Sequence, residues 1–204
     1  PFTDCSSISK IHYTPGKTGE LANKQASNSE RTDHYGYSLE YTCRENLTTV
    51  ILEEGITHLG DYAFYGCSNL SDAAIPSTVT YIGMYAFYNC TAIPRADLPA
   101  GLTFLGASAF YNCPKIPEIC IPFGLNEIPA SCFYGCVGLT ELVIPENIVA
   151  LGLNAFGGCV NLTEIKLPVD VVQHRSYSKS YPYYISPFTD CSSISKIHYT
   201  PGKT

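Results

Sequence analysis

The sequence carries little positive charge: 12 lysine and arginine residues stand against 18 aspartate and glutamate residues, and the formal net charge is −6. Nucleic-acid binding demands a basic surface, so this balance argues against a nucleic-acid partner. No run of about 18 apolar residues occurs, and we therefore expect no membrane span. An initiator methionine and a signal peptide are also missing, as expected of a segment from within a longer protein.

Residues with the spacing needed for catalysis or metal binding are equally scarce. The sequence has no Cys-x-x-Cys pair, and Cys132 and Cys136 have no histidine partner nearby, so we expect no metal site. It also has no nucleophile elbow, no phosphate loop and no carboxylate pair that stands out from the repeat pattern. The histidines are scattered: His12, His34, His58, His174 and His198. We predict a protein without enzymatic activity and without a cofactor.

What the sequence does have is a repeat of 23 residues, marked by cysteine and phenylalanine. Five cysteines keep this spacing: Cys67, Cys90, Cys113, Cys136 and Cys159. Three residues before each one lies a phenylalanine: Phe64, Phe87, Phe110, Phe133 and Phe156. The residue before each phenylalanine is small: Ala63, Ala86, Ala109, Cys132 and Ala155. This pattern predicts a buried phenylalanine and cysteine in every 23-residue unit, which we call a rung.

After each cysteine, apolar residues at alternate positions predict a short strand with two inward-facing side chains. These pairs are Ala73 with Ile75, Ala96 with Leu98, Ile119 with Ile121, Leu142 with Ile144, and Ile165 with Leu167. A proline usually follows and should end the strand. A second buried pair lies on the return path: Ile56 with Leu59, Val79 with Ile82, Leu102 with Leu105, Leu125 with Ile128, and Ile148 with Leu151. Four glycines there are interpreted as turns: Gly60, Gly83, Gly106 and Gly152.

One rung cannot bury these residues alone, so successive rungs must stack and cover one another. We expect an α/β-type repeat solenoid: a right-handed coil with one parallel β-sheet face, and short turns or helices on the other face. The unit reads aliphatic, x, x, Ile-Gly, x, x, Ala-Phe, x, x, Cys, x, x, Leu, x, x, Ile, x, Ile-Pro, as in Ile82-Gly83 through Ala86-Phe87 to Cys90. It resembles the BspA-like class of leucine-rich repeats, over most of the chain. The resemblance implies a surface-exposed or secreted protein, often assigned to adhesion, and names no ligand.

The two ends of the chain are identical, because residues 1–18 recur without a change as residues 187–204. The interval of 186 residues fits seven rungs with two insertions, which predicts a module that repeats in tandem. The expected organisation is a rung at 1–18, a polar insertion and rung start at 19–42, regular repeats at 43–172, a tyrosine-rich insertion at 173–186, and the next copy at 187–204. Neighbouring copies stacked end to end are the expected partners. A segment cut to overlap one module would give the same ends.

Ten cysteines invite two interpretations, structural thiols or disulfides. The five at 23-residue spacing fit small buried residues, and we favour thiols because parallel side-chain vectors give poor disulfide geometry. Cys43 is displaced by one residue from its ladder place, Cys120 lies at an outward strand position, and Cys132 replaces a small alanine. The disulfide state of these three stays open.

Two columns of exposed side chains are candidate binding surfaces. Outward strand positions give a mildly acidic stripe that would bind a cation or a basic partner, or would be an ordinary solvated face: Thr49, Asp72, Arg95, Glu118, Glu141, Glu164 and Lys196. The residues after the ladder phenylalanines should stack along one edge: Tyr65, Tyr88, Tyr111 and Tyr134. Such rings can bind sugar faces or can cover the edge of the core, and we favour the structural role.

Loops that project from a rigid scaffold often carry recognition, so both insertions are candidate sites. The second is rich in tyrosine, with Tyr177, Tyr181, Tyr183 and Tyr184. Four sequons are candidate N-glycosylation sites: Asn46, Asn69, Asn89 and Asn161. Two functions remain: an extracellular fibre built from stacked modules, and a cell-surface adhesin that binds proteins or glycans. The invariant end segment favours the fibre.

Overall fold

A computed structural model describes residues 9–13, 20–21, 41–173, 176–177 and 184–201 of the chain. Within these ranges one helix is present, α1 (Tyr41–Asn46). The strands in the described residues are β1 (Lys10–Tyr13), β2 (Glu20–Leu21), β3 (Thr49–Leu52), β4 (His58–Leu59), β5 (Asp72–Ala73), β6 (Tyr81–Ile82), β7 (Phe104–Leu105), β8 (Glu127–Ile128), β9 (Glu141–Val143), β10 (Ala150–Leu151), β11 (Glu164–Pro168), β12 (Val172–Gln173), β13 (Ser176–Tyr177), β14 (Tyr184–Ile185) and β15 (Lys196–Thr200).

The strands that follow the ladder cysteines form one column of parallel pairs. One sheet has the order β1-β3-β5 and another the order β15-β11-β9. Thr49 pairs with Asp72, and Glu141 pairs with Glu164, so partners lie one sequence repeat apart. Lys196 continues the second sheet opposite Glu164. We call these two sheets the first sheet column.

The return path carries a second column of parallel strands, and this corrects the expectation of one sheet face opposed by turns or helices. The sheets here have the orders β2-β4-β6-β7 and β12-β10-β8. Tyr81 pairs with both His58 and Phe104. The two buried positions of the return path are close enough in sequence for two-residue strands, which suffice to pair the backbone of neighbouring rungs. We call these sheets the second sheet column.

The first sheet column is interrupted at two rungs, where the predicted strands around Ala96 and Ile119 do not form. In the other rungs, a serine or threonine four residues after the cysteine position donates its backbone N–H to the rung before, as Ser71 does to the Thr48 carbonyl at 3.0 Å. The two interrupted rungs have Pro94 and Pro117 at this place. Proline has no N–H to donate, so the strand pairing stops there. The inward-facing pairs were nevertheless predicted correctly, because Ala96, Leu98, Ile119 and Ile121 are buried.

The core consists of the predicted ladders stacked along the array. All five ladder phenylalanines and all five ladder cysteines have no exposed surface, which confirms the buried pairs. The phenylalanine rings stack from one rung to the next at centroid distances of 5.0 to 5.7 Å, ending with Phe156 on Phe188. Burial of one such ring contributes about 2–3 kcal/mol. No single rung could retain these rings out of water without its neighbours.

The glycines on the return path allow close approach of neighbouring rungs. None of Gly83, Gly106 and Gly152 has a positive φ. A Cβ built at Gly83 or at Gly152 would lie 2.5 Å from a backbone nitrogen of the preceding rung, at Asp61 and Ala130 respectively. A side chain is therefore excluded by the backbone of the preceding rung, which gives these glycines a packing role beyond the turn that we had expected.

Candidate functional site

The four tyrosines that follow the ladder phenylalanines form a continuous stack on one edge of the array, which confirms the predicted stacking. Ring centroids are 4.8 Å apart for Tyr65 and Tyr88, 4.6 Å for Tyr88 and Tyr111, and 4.8 Å for Tyr111 and Tyr134. The planes are within 14° of parallel. All four side chains are half-buried. We call this stack the tyrosine ladder.

Both ends of the tyrosine ladder are covered. The Arg44 guanidinium carbon lies 5.9 Å from the centroid of the Tyr65 ring, a cation–π contact. Arg44 is only 5 % exposed, and it occupies the cysteine position of its rung, 23 residues before Cys67. At the other end the ring of Tyr134 lies over Gly157, where a Cβ would approach Tyr134 Cδ2 to 2.8 Å. Sequence reasoning missed Arg44, although its place in the repeat could have identified it.

A second pair of tyrosines lies beside the tyrosine ladder. Tyr62 and Tyr85 stack at 4.9 Å, and each tilts against the ladder tyrosine of its own rung, at 5.7 Å from Tyr65 and 5.6 Å from Tyr88. Both have a positive φ, near 58°, a backbone conformation that L-residues adopt at a cost. This two-by-two cluster of phenols widens the aromatic edge at its Arg44 end.

The arrangement limits the chemistry that the tyrosine ladder can offer. Its ring faces are in contact with one another, with Arg44 or with the backbone at Gly157, so a ligand meets ring edges and hydroxyl groups. Burial raises the pKa of Tyr111, with a smaller contribution from Tyr134, so the hydroxyl stays protonated and can donate a hydrogen bond. A column of phenol donors and acceptors fits hydrogen-bonding ligands better than the flat faces of sugars.

The acidic stripe is partly neutralised by basic side chains. Glu164 pairs with Lys196 at 3.5 Å and with His198 at 3.0 Å, if the imidazole is protonated. Arg95 pairs with Asp97 of its own rung at 2.7 Å. Glu141 lies next to Glu164 in register and lines a shallow groove with Val143, Lys166 and His198. The described part of the chain holds no cluster of three or more metal-ligating side chains.

The ladder cysteines are thiols that donate hydrogen bonds to the preceding rung. Cys90 Sγ donates to the Phe64 carbonyl at 3.1 Å, and Cys136 and Cys159 make the same contact, one and two rungs further on, at 3.3 Å. Cys67, Cys113, Cys132 and Cys191 are also free. Burial raises the pKa of Cys113 to about 12 and that of Cys191 to about 11. Cys120 is free and exposed, as its outward position predicts.

The tyrosine-rich insertion begins and ends in an antiparallel strand pair. Tyr177 in β13 is the backbone partner of Tyr184 in β14. Tyr181 and Tyr183 lie outside the described residues, as do most of the polar insertion at 19–42 and residues 1–8 with Cys5. The side chain of Cys43, which belongs to α1, is also not described. The binding role of both insertions stays a prediction.

The four sequon asparagines occupy different environments. Asn69 donates to the Glu45 carbonyl and Asn161 to the Val137 carbonyl at 2.8 Å, each in the preceding rung. Asn89 accepts a bond from the Asn112 amide at 2.9 Å and has a positive φ of 58°. Asn46 is exposed at the end of α1. Three of the four asparagines therefore have structural contacts between rungs, and glycosylation stays a prediction.

The sequence and the fold agree with one protein family. The model of the BspA type leucine-rich repeat region matches six copies, over residues 37–163 and 126–200. The chain belongs to this family. No curated protein matches the sequence. In the described part of this BspA-type repeat chain, no helix has the length and apolar character of a membrane span.

Two solved structures resemble the BspA-type array. The leucine-rich repeat protein TpLRR of T. pallidum is 29 % identical, with a TM-score of 0.62 over 76 % of this chain and 70 % of that one. The pneumococcal vaccine antigen PcpA is 22 % identical, with a TM-score of 0.56 over 78 % of this chain and 40 % of that one. The second likeness concerns the fold alone.

Proposed function

We propose that the chain is one module of a longer extracellular tandem protein, a non-enzymatic structural and binding array that forms a fibre. The observation that carries this proposal is the repeated end segment. Lys10–Tyr13 and residues 196–199 have the same sequence, and each lies in a parallel pair of the first sheet column. An array that starts and resumes with the same rung can continue from module to module without a change of packing.

The module has seven rungs of about 23 residues in a right-handed coil, the hand that parallel crossover connections adopt. Family membership supports a repeat array outside the cell, since the family resemblance implies surface-exposed or secreted proteins. The pneumococcal relative was studied as a vaccine antigen. These points support the extracellular location as part of the proposal.

A non-enzymatic role is supported by the use that the fold makes of its reactive side chains. A nucleophilic cysteine needs a thiolate, and burial raises the pKa of the ladder thiols well into the alkaline range. Their hydrogens are committed to carbonyl oxygens of the preceding rung. The family of leucine-rich repeats serves generally as a scaffold, which agrees with this use.

Electron microscopy of a protein containing several modules tests the proposal. Seven rungs at a spacing of roughly 4.8 Å predict an axial repeat near 34 Å if the array is straight. Long filaments with this repeat would support a structural fibre. Short, isolated arcs in a preparation of intact multi-module protein would contradict it.

A second function, that of a cell-surface adhesin, is favoured by the aromatic edge. The tyrosine ladder presents phenol hydroxyls in a row, and the tyrosine-rich insertion joins two paired strands, β13 and β14. Binding to arrays of glycans and matrix proteins should then fall when residues 178–183 are deleted. Tyr88→Phe with Tyr111→Phe is the matched variant, because it removes two hydroxyls and retains the ring stacking. Unchanged binding in both variants would exclude these surfaces.

A further inference from the structure

One strand sequence occurs twice in this structure, and its two copies expose opposite edges. β1 and residues 196–199 of β15 both read Lys-Ile-His-Tyr. β1 is paired with β3, the strand of the rung after it, in the register Lys10 with Thr49 to Tyr13 with Leu52. β15 is paired with β11, the strand of the rung before it, in the register Glu164 with Lys196 to Pro168 with Thr200. The chain thus shows both interfaces of the same rung.

The backbone hydrogen bonds establish that the two interfaces use opposite edges of the strand. The carbonyls of Ser9 and Tyr13 accept bonds from the backbone N–H groups of Thr49 and Glu53, both at 3.1 Å. In β15 it is the carbonyl of Thr200 that accepts, from Val169 at 3.0 Å. Carbonyls alternate between the two edges of a parallel strand. The carbonyls of Ser195 and Tyr199, the counterparts of Ser9 and Tyr13, therefore point away from β11.

The side chains of the same rung differ in burial at the two places. Ile11 and Tyr13 are partly buried against the core, and the Tyr13 ring meets Phe64 edge-on at 6.3 Å. Their counterparts Ile197 and Tyr199 are 50 % and 61 % exposed. The apolar side of β15 is therefore shaped for a neighbour like β3, since the identical residues already pack against that strand at the other end.

We propose that the exposed edge of β15 docks onto the β3 edge of a second copy of this chain, in the place that residues 9–13 occupy there. The inference rests on the proposed function and adds the partner and the register of the joint. Lys196 would pair with Thr49 of the second copy and Tyr199 with Leu52. Because the two strand sequences are identical, the exchange preserves each contact of β1 with β3 and buries the exposed side of β15.

Charge complementarity at the joint supports a specific partner. His12 Nε2 lies 2.8 Å from a Glu53 carboxylate oxygen, and His198 Nε2 lies 3.0 Å from a Glu164 carboxylate oxygen. In the joined rung one imidazole would face Glu164 of its own chain and Glu53 of the second copy. Lys196 adds a second cation beside Glu164, at 3.5 Å. An unrelated sheet edge would lack the carboxylate that Glu53 supplies.

A matched pair of variants tests the proposal, with the same substitution in the two copies of the rung. Tyr199→Glu places a charge on the docking strand and should weaken self-association by at least about tenfold. Tyr13→Glu loosens the strand that occupies the acceptor edge and should strengthen self-association. Sedimentation of the 204-residue chain over a range of concentrations measures both effects. Far-ultraviolet circular dichroism and urea unfolding verify that each variant is folded.

A labelled peptide with the sequence of residues 187–204 gives a second readout that does not depend on assembly of two whole chains. It should bind the Tyr13→Glu variant more tightly than the unchanged chain, and a peptide carrying the Tyr199→Glu substitution should bind neither. Equal self-association of the two variants, or no peptide binding to the Tyr13→Glu variant, would overturn the proposal. Filaments of a multi-module protein with no exchange between separate chains would overturn this inference and leave the proposed function intact.

Discussion

The thiol of Cys113 donates a hydrogen bond to the backbone carbonyl of Phe87, in the preceding rung, at 3.2 Å. The same contact joins Cys90 to Phe64 and Cys191 to Phe156. The carbonyl lies inside the array, where an acceptor without a donor is costly. Cysteine is the small side chain that fills this space with a polarizable atom and also supplies a weak donor. The cysteine ladder therefore serves both packing and backbone satisfaction.

Substitutions at Cys113 should separate these two contributions. Cys113→Val keeps most of the buried volume and removes the donor, so we expect a loss of about 1 kcal/mol in the free energy of unfolding. Cys113→Ala removes the donor and leaves a cavity, and should cost about 2 kcal/mol. Urea unfolding of the two variants measures the difference. The exposed Cys120→Ala is the control, with an expected change within about 0.5 kcal/mol. Equal losses at Cys113 and Cys120 would show that the ladder contact has no energetic role.

Alkaline pH should destabilise the fold through the same thiols. Burial raises the pKa of Cys67, Cys113 and Cys159 to about 12 in the folded state, while an unfolded thiol titrates near 8.5. A raised folded pKa contributes stability that is complete below the unfolded pKa and is lost as pH rises towards the folded pKa. The urea midpoint should therefore be constant from pH 7 to 8 and fall progressively from about pH 9 to pH 12. A midpoint that is flat to pH 11 would contradict the burial of these thiols.

Most of the core could be predicted from the sequence because its residues recur at a fixed spacing. Phe110 and Cys113 are repeated in every regular rung, and a residue that must be buried in one rung must be buried in all. The stacking of Tyr88 on Tyr111 followed in the same way, since equal positions in neighbouring rungs lie about one strand spacing apart. Periodicity alone was sufficient for these features.

Features that depend on single departures from the repeat were missed. Pro94 and Pro117 interrupt the first sheet column because each removes one backbone donor, and an apolar pattern carries no information on donors. The two-residue strands of the second sheet column, such as Tyr81 with Ile82, are too short for an alternating pattern to be recognised. Arg44 is buried at a cysteine place because the ring of Tyr65 lies beside it, which only the three-dimensional arrangement reveals. The function of the insertions depends on residues without any repeat.

The residue before each ladder cysteine has a left-handed backbone, which predicts an order of tolerated residues. Gly135 has a φ of +71°, and its counterparts Asn89 and Asn112 have φ values of +58° and +53°. A Cβ at Gly135 would have ordinary contacts, the nearest at 3.6 Å to Asn112 Cα, so the cost of a side chain there is conformational. Gly135→Ala should lower the free energy of unfolding by about 1–2 kcal/mol. Gly135→Asn should cost clearly less, because asparagine tolerates this region. Thermal and urea unfolding compare the two, and a larger loss for asparagine would refute the conformational explanation.

The end of the tyrosine ladder offers a test of coupling between two neighbouring rungs. Gly157 is buried under the ring of Tyr134, and a Cβ there would approach Cδ2 to 2.8 Å and Cε2 to 3.0 Å. Gly157→Ala should therefore displace the ring and cost about 1–3 kcal/mol. In a Tyr134→Ala background the ring is absent, and the same substitution should cost much less, which a double-mutant cycle measures as a coupling energy of at least about 0.5 kcal/mol. Purely additive losses would mean that Tyr134 does not close the ladder over Gly157, and that its ring face is open to a ligand.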